Sequence, residues 1–146
     1  MIDLSDRVGQ ELGVGEWMEI TQDRVDAFAD ATNDHQWIHE AGERAANGPF
    51  GGPIAHGFLT LSLLPPLTGD ILRPYLEGAV MAINYGLDRV RFITPVRVGS
   101  RMRARVKLAE VRPIENGVQV KTETTLEIEG SDRPAAVVES LVRLYG

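Results

Sequence analysis

The chain has 146 residues, about the length of one domain, and a domain of this size buries roughly two-thirds of its unfolded surface. It contains no cysteine, which excludes disulfides, thiolate metal ligands and cysteine nucleophiles. A formal net charge of −6 argues against nucleic acid as the main partner. No apolar run approaches the roughly 20 residues that a membrane-spanning helix needs, and segment 1–13 lacks the basic and apolar regions of a signal peptide. We therefore expect one cytoplasmic domain over residues 1–146, with neither a nucleic acid nor a membrane as partner.

The first third of the chain predicts a short strand followed by a helix. Residues 17–20 have the composition of a short strand, and Thr21 is a suitable N-cap with Asp23 in the first helical turn. Apolar and small side chains then recur at helical spacing on one face: Val25, Phe28, Ala29 and Thr32. This helix is expected to end by about Asn33, and a loop over 34–38 and a short helix near 40–46 should follow.

The middle of the chain predicts irregular backbone and then a buried helix. Glycine and proline punctuate segments 47–49 and 51–53, which indicates turns. Segment 56–64, HGFLTLSLL, is apolar almost all round, and a helix without a polar face belongs in an interior. Pro65 and Pro66 should end or kink this helix near Leu64.

From Ala79 onward the apolar period changes to two, which predicts strands. One group, Met81, Ile83, Tyr85 and Leu87, falls on one face, and a second group, Val90 and Phe92, falls on the other. This slip of phase near Gly86 predicts a bulge or bend in a long strand. Three further strands are predicted near 101–108, 118–129 and 138–144, joined by turns at 113–117 and 130–134. The pattern therefore predicts an α+β fold, with an antiparallel sheet covered by the buried helix.

The titratable groups suited to proton transfer cluster in one part of the chain. All three histidines, His35, His39 and His56, lie close in sequence to Asp34. Because a loop separates Asp34 from His39, the two side chains can be aimed at one water molecule. Gly57 stands at the entrance of the predicted helix, where a backbone amide without a helical partner can stabilise an oxyanion.

Each of these residues also has a purely structural interpretation. Asp34 could cap a turn, His39 could be an ordinary half-buried histidine, His56 could tie the loop through a backbone hydrogen bond, and Gly57 could serve packing. A metal site at Asp34, His35 and His39 is disfavoured, because the segment is predicted to be a loop and lacks the HExxH spacing. We expect neither a metal nor a cofactor.

Positive charge is also unevenly distributed. Seven of the 15 basic residues lie between positions 89 and 107: Arg89, Arg91, Arg97, Arg101, Arg103, Arg105 and Lys107. Such a stripe can bind a phosphate-bearing ligand or an acidic protein surface, or it can be a solvated strand face.

Two segments resemble motifs of the MaoC-like dehydratases, a family that includes the (R)-specific enoyl-CoA hydratases. Segment FADATNDHQWIHEAGERA is similar to the family's carboxylate, four residues, histidine and later small residue, here Asp34, His39 and Ala45. Segment GGPIAHGFLTLSLLP resembles the start of the family's central helix, and NYGLDRVRFITPVRVGSRMRARVKLAEV resembles, more weakly, a long strand and the strand after it. The resemblance implies a hot-dog fold, in which a curved antiparallel sheet wraps around a buried central helix.

The resemblance also implies a reaction and roles for particular residues. The substrate would be a trans-2-enoyl thioester of coenzyme A or acyl-carrier protein, reversibly hydrated to an (R)-3-hydroxyacyl thioester by a homodimer or higher homo-oligomer. Asp34 matches the general base, His39 the partner that holds the water and passes a proton, and Gly57 the amide that binds the thioester oxygen. The candidate substrate-binding residues are His56, Trp37, Asn84, Tyr85 and Gly86, of which the last three match positions along the acyl tunnel.

The chain departs from the family motif at two places. Gln36 and Trp37 stand where the family usually has Asn-Pro, and Asn33 replaces a glycine before the acid. Segment DHQWIH is similar to a nodulation-protein-N-like subgroup. Trp37 could form the floor of the acyl pocket or brace the loop. The alternatives to a hydratase are a non-catalytic acyl-thioester-binding module and a hot-dog thioesterase; the absence of an acid on the central helix argues against the thioesterase.

Overall fold

The computed structural model describes residues 3–146. Within them six strands form one antiparallel sheet: β1 (Glu11–Val14), β2 (Met18–Glu19), β3 (Met81–Phe92), β4 (Arg101–Ile114), β5 (Gly117–Ile128) and β6 (Ala136–Tyr145). The α-helices are α1 (Gln22–Thr32), α2 (Glu43–Ala46), α3 (Gly57–Ser62) and α4 (Leu64–Leu72), and short 3₁₀ turns cover Ser5–Arg7, Trp37–His39 and Arg73–Tyr75. The strand order is β1-β4-β5-β6-β3, with β2 also paired to β4. The predicted α+β architecture is confirmed.

The core lies between the curved sheet and the helices α3 and α4. Alternate residues of β4, from Met102 to Leu108, are fully buried, while the arginines between them face outward. Leu63, Leu67 and Ile71 recur every four residues, so they form one helical stripe, and all three belong to the same buried cluster as the β4 residues. The helix is thus held against the sheet by apolar burial, the main favourable term in folding.

The central helix is kinked where the two prolines occur. Helix α3 ends at Ser62 and α4 starts at Leu64, with Pro65 and Pro66 in the first turn of α4. Proline is tolerated there because the first helical N–H groups have no partner within the helix. The predicted kink is confirmed. The expectation that α3 is buried all round is wrong at Phe58, whose side chain is 70% exposed, because only one face of the helix meets the sheet.

Strand β3 forms one edge of the sheet and carries two irregularities. Its pairing with β6 shifts between Asn84 and Gly86, which confirms the predicted slip, and shifts again between Leu87 and Arg89. Because of the second shift, Leu87 lies on the same face as Val90, contrary to the predicted grouping. Large exposed apolar side chains concentrate at this edge: Val80, Met81, Ile83, Tyr85, Leu87 and Phe92.

The outward arginines of β4 form ion pairs across the sheet. The shortest distances between the charged atoms are 3.0 Å for Arg101–Glu129, 3.1 Å for Arg103–Glu127 and 2.6 Å for Arg105–Glu11. These pairs neutralise the part of the basic stripe that lies on β4, which favours the interpretation of this part as a solvated strand face over that of an anion-binding surface. Among residues 3–146 no helix is both long enough and apolar enough to cross a membrane.

Candidate active site

Helix α1 places Asp34 at its C-terminal end. The Thr21 hydroxyl accepts a hydrogen bond from the Arg24 amide at 3.2 Å, so the predicted N-cap is confirmed. Asn33 ends the helix in the left-handed region at φ 58°, a conformation that asparagine tolerates better than most residues. The Asp34 amide then donates to the Ala29 carbonyl at 3.1 Å, so the backbone of the acid is attached to the last turn of α1.

His39 lies in the short turn after Asp34 and is almost completely buried. Its Nδ1 lies 2.8 Å from the Ile54 carbonyl oxygen. Because a carbonyl can only accept, Nδ1 carries the hydrogen, and in the neutral ring Nε2 keeps a free lone pair. Burial lowers the pKa of His39, as does nearby His56, whereas the Ile54 carbonyl and Asp34 act in the opposite direction. The lowered pKa favours the neutral ring, with Nε2 as a hydrogen-bond acceptor.

The ring of His56 stacks on that of His39. Their centroids are 3.7 Å apart and their planes differ by 22°, and the ring of Phe28 lies 4.9 Å from His56. His56 is 2% exposed, and its Nε2 donates to the backbone carbonyl of Asp34 at 3.0 Å. The remaining ring atom, Nδ1, is buried without a hydrogen-bond partner among the described residues. The backbone tie that the sequence left as an alternative for His56 is therefore present.

Asp34, His39 and His56 form one compact cluster. A carboxylate oxygen of Asp34 and a ring nitrogen from each histidine all lie within 4.8 Å of one another. Two hydrogen bonds of about 2.8 Å, meeting at a water with a roughly tetrahedral angle, span about 4.6 Å. With a limit of 4.8 Å between them, Asp34 and His39 are close enough for one water to bridge.

The same three residues are a poor fit to a metal ion. A ring nitrogen binds zinc in the plane of its ring at about 2.1 Å. Since the rings of His39 and His56 are stacked almost parallel, an ion in the plane of one would lie well out of the plane of the other. Both rings would have to turn, and each is held by a carbonyl oxygen.

Gly57 begins α3 directly after His56, so its N–H has no partner within the helix. It lines a cavity of about 260 Å³ together with Thr60, Phe92 and Thr94. A Cβ built on Gly57 would lie 3.2 Å from the ring of Phe92, so a larger residue here would require that ring to shift by a few tenths of an ångström. The Thr94 hydroxyl is buried without a partner in the described chain. Thr94 and Phe92 were not predicted as site residues, because nothing in their local pattern separates them from other strand and turn residues.

A second cavity, of about 750 Å³, lies between α4 and the concave face of β3, β5 and β6. Its wall includes the three residues predicted along the acyl tunnel, Asn84, Tyr85 and Gly86. Hydroxyl groups of Thr122 and Ser140, 3.0 Å apart, face the same space.

Comparison with known proteins identifies the family. The model of the MaoC like domain matches residues 3–130. The chain belongs to the MaoC-like dehydratase family. It is 54% identical to the 3-hydroxyacyl-thioester dehydratase Z of Mycobacterium tuberculosis, over 97% of this chain and 93% of that protein. It is 51% identical to Nodulation protein N of Rhizobium leguminosarum bv. viciae, over 92% and 84%. The solved (R)-hydratase from A. caviae, involved in PHA biosynthesis, superposes with a TM-score of 0.77 at 29% identity, over 97% and 99%.

Membership of this family makes the protein an enzyme of the dehydratase class, and the hot-dog fold implied by its motifs is confirmed. In this MaoC-like dehydratase Trp37 stands where the motif usually has proline. Its ring packs against the guanidinium of Arg44, 4.4 Å from the ring centroid, and lies close to Gly48. These contacts with Arg44 and Gly48, both in the segment that follows the loop, favour the bracing alternative.

Proposed function

We propose that this protein catalyses the reversible (R)-specific hydration of trans-2-enoyl thioesters of coenzyme A or acyl-carrier protein to (R)-3-hydroxyacyl thioesters. The observation that carries the proposal is the placement of the Asp34 carboxylate within 4.8 Å of a ring nitrogen of His39. The names of its relatives, a 3-hydroxyacyl-thioester dehydratase and an (R)-hydratase, support the same reaction class.

In the proposed reaction Asp34 acts as general base and His39 positions the water and transfers the proton. The water oxygen bonds to C3 of the enoyl group, and the electron pair of the double bond moves to C2 and the thioester oxygen. One hydrogen of the water stays on the new hydroxyl, and the other is carried by Asp34 and His39 to C2. Positioned acid–base groups typically contribute 10²–10⁴-fold to such a step.

The amide of Gly57 is the proposed donor to the thioester oxygen. Negative charge develops on that oxygen as the electron pair moves, and a fixed N–H directed at it stabilises the transition state. Gly57 follows His56 directly in the chain, so this amide and the Asp34–His39 pair belong to one continuous group of contacts.

The larger cavity is the proposed site for the acyl tail. Leu61 lines it and follows Gly57 by four residues on α3, so it lies about 6 Å further along the axis of that helix, and Thr68 lines it from α4. A chain bound through its thioester at Gly57 and running beside the helix would enter this space. Asn84, Tyr85 and Gly86 form part of the opposite wall.

A second copy of the chain is the proposed partner of β3. This strand is an unpaired edge within the described sheet and carries most of the large exposed apolar side chains. Such an edge favours pairing with another strand, and burying these side chains adds apolar contact area. The protein is accordingly proposed to act as a homodimer or higher homo-oligomer.

The test is an assay of purified protein with crotonyl-CoA and longer trans-2-enoyl-CoA thioesters. Hydration removes the absorbance of the conjugated enoyl group, and chiral analysis of the product should give the (R)-3-hydroxyacyl thioester. Thioester binding without turnover at every chain length would instead indicate a binding module. Release of free coenzyme A thiol would indicate a thioesterase.

A further inference from the structure

Two segments that are distant in sequence are joined at the site by reciprocal hydrogen bonds. His39, in the first segment, donates through Nδ1 to the Ile54 carbonyl in the second. His56, in the second segment, donates through Nε2 to the Asp34 carbonyl in the first. A backbone bond of 2.9 Å from the Ile54 amide to the Ile38 carbonyl lies between them. Each histidine thus fixes the segment that carries the other.

Few direct contacts fix the position of the Asp34 carboxylate among the described residues. Asp34 is exposed, and in the described chain its carboxylate accepts one long hydrogen bond, from the Gln36 amide at 3.5 Å. The position of the carboxylate therefore depends on the backbone of residue 34. That backbone is held on one side by the bond from the Asp34 amide to Ala29 and on the other by the bond from His56 to the Asp34 carbonyl.

Packing alone does not require a histidine at position 56. Its ring lies between Phe28 and His39, and the aromatic stacking that it makes there is also available to a planar phenyl ring. The unpartnered Nδ1 is a cost of having a histidine here, since burying a polar atom without a hydrogen bond destabilises a fold. The imidazole supplies a hydrogen-bond donor to the Asp34 carbonyl, and a phenyl ring has no such donor.

We propose that His56 is a positioning residue. It holds the carboxylate of Asp34 opposite His39 by donating a hydrogen bond to the Asp34 carbonyl and stacking on the His39 ring. This inference rests on the proposed hydration reaction and assigns a role outside direct contact with substrate, since Nε2 of His56 is bonded to the Asp34 carbonyl and its Nδ1 is buried. Its removal should therefore lower kcat and leave KM almost unchanged. A displacement of the base by about 1 Å costs on the order of 10²-fold in rate.

The decisive variant is His56→Phe, which keeps the aromatic stack and removes both the donor and the unpartnered nitrogen. We expect its melting temperature to equal or exceed that of the unchanged protein, while kcat falls by about 10- to 100-fold and KM changes by less than about threefold. His56→Gln, whose amide can still donate, should recover part of kcat. The matched control is His35→Phe, the same change at a half-exposed histidine paired with Asp30, and it should keep full activity.

A folded His56→Phe protein with unchanged kcat would overturn the proposal, as would a loss of activity that only tracks a loss of stability across both variants. If His56→Phe does not fold, the smaller His56→Leu, which also lacks the donor, decides: the proposal requires a reduced kcat with KM preserved. A readout independent of turnover is the amide relaxation of Asp34 by NMR, which should show increased motion in His56→Phe. Absence of turnover in the unchanged protein would refute the proposed function, whereas an unchanged Asp34 amide would refute the positioning role.

Discussion

Replacing Asp34 by asparagine should lower catalytic activity without changing the stability of the fold. The change preserves shape and removes the charge and basicity of the carboxylate. Because the side chain is exposed and its one described hydrogen bond, from Gln36, can be accepted by an amide oxygen as well, the free energy of unfolding should change by less than about 0.5 kcal/mol. Loss of a general base should lower kcat by about 10²–10⁴-fold, which corresponds to about 3–5 kcal/mol of transition-state stabilisation.

The assay follows the loss of enoyl absorbance with crotonyl-CoA, and circular dichroism measures the melting temperature of the same samples. Asp30→Asn is the matched control, because Asp30 is a second exposed carboxylate in the last turn of α1 and forms an ion pair with His35 at 3.5 Å. It should keep activity within about twofold. An Asp34→Asn protein that hydrates crotonyl-CoA at nearly the original rate would refute the assignment of Asp34 as the base.

Four further outcomes are expected. The pKa of His39 is lowered from 6.5, so the unfolded chain binds the proton more readily than the folded protein does. The contribution of His39 to the free energy of unfolding should therefore be fully present above pH 6.5 and be lost as the pH falls toward the lowered pKa. Chemical denaturation at about pH 7.5 and about pH 5.5 measures this loss, and His39→Gln should reduce the difference between the two pH values. Thr21→Ala removes the α1 cap and should cost about 1 kcal/mol, or about 2–4 °C in melting temperature by circular dichroism. Thr94→Val removes a buried unpartnered hydroxyl, so calorimetry should show an equal or higher melting temperature. Ile83→Arg places a charge on the exposed edge strand, and sedimentation should show monomers of this variant and the proposed dimers of the unchanged protein.

The elements that sequence analysis predicted correctly depend on residues close together in the chain. The cap at Thr21 and the helix end at Asn33 follow from side chains and conformations within one helical turn. The alternation along β4 and the phase slip near Gly86 follow from the two-residue period of a strand. Strand β1 was missed, because its four residues, with a glycine at position 13, carry too little alternation to be recognised.

The candidate site was predictable as a set of residue types and unpredictable as a geometry. Spacing and motif resemblance select Asp34 and His39, but the free nitrogen of His39 depends on a bond to Ile54, fifteen positions away. The role of His56 depends on a stack and a bond that close a loop of 22 residues. Likewise, the charge of the β4 arginines is offset by acids on other strands, which no local pattern identifies.

The sequence by itself determined the helices, the alternating strands and the acid–histidine pair, because capping, periodicity and motif spacing act over a few residues. Only the tertiary structure decided which ring nitrogen of His39 is bonded to Ile54, what holds the Asp34 carbonyl, how the prolines divide the central helix and which strand is left as an exposed edge. These features depend on contacts between distant segments, whose geometry is set by how the whole chain buries its apolar surface.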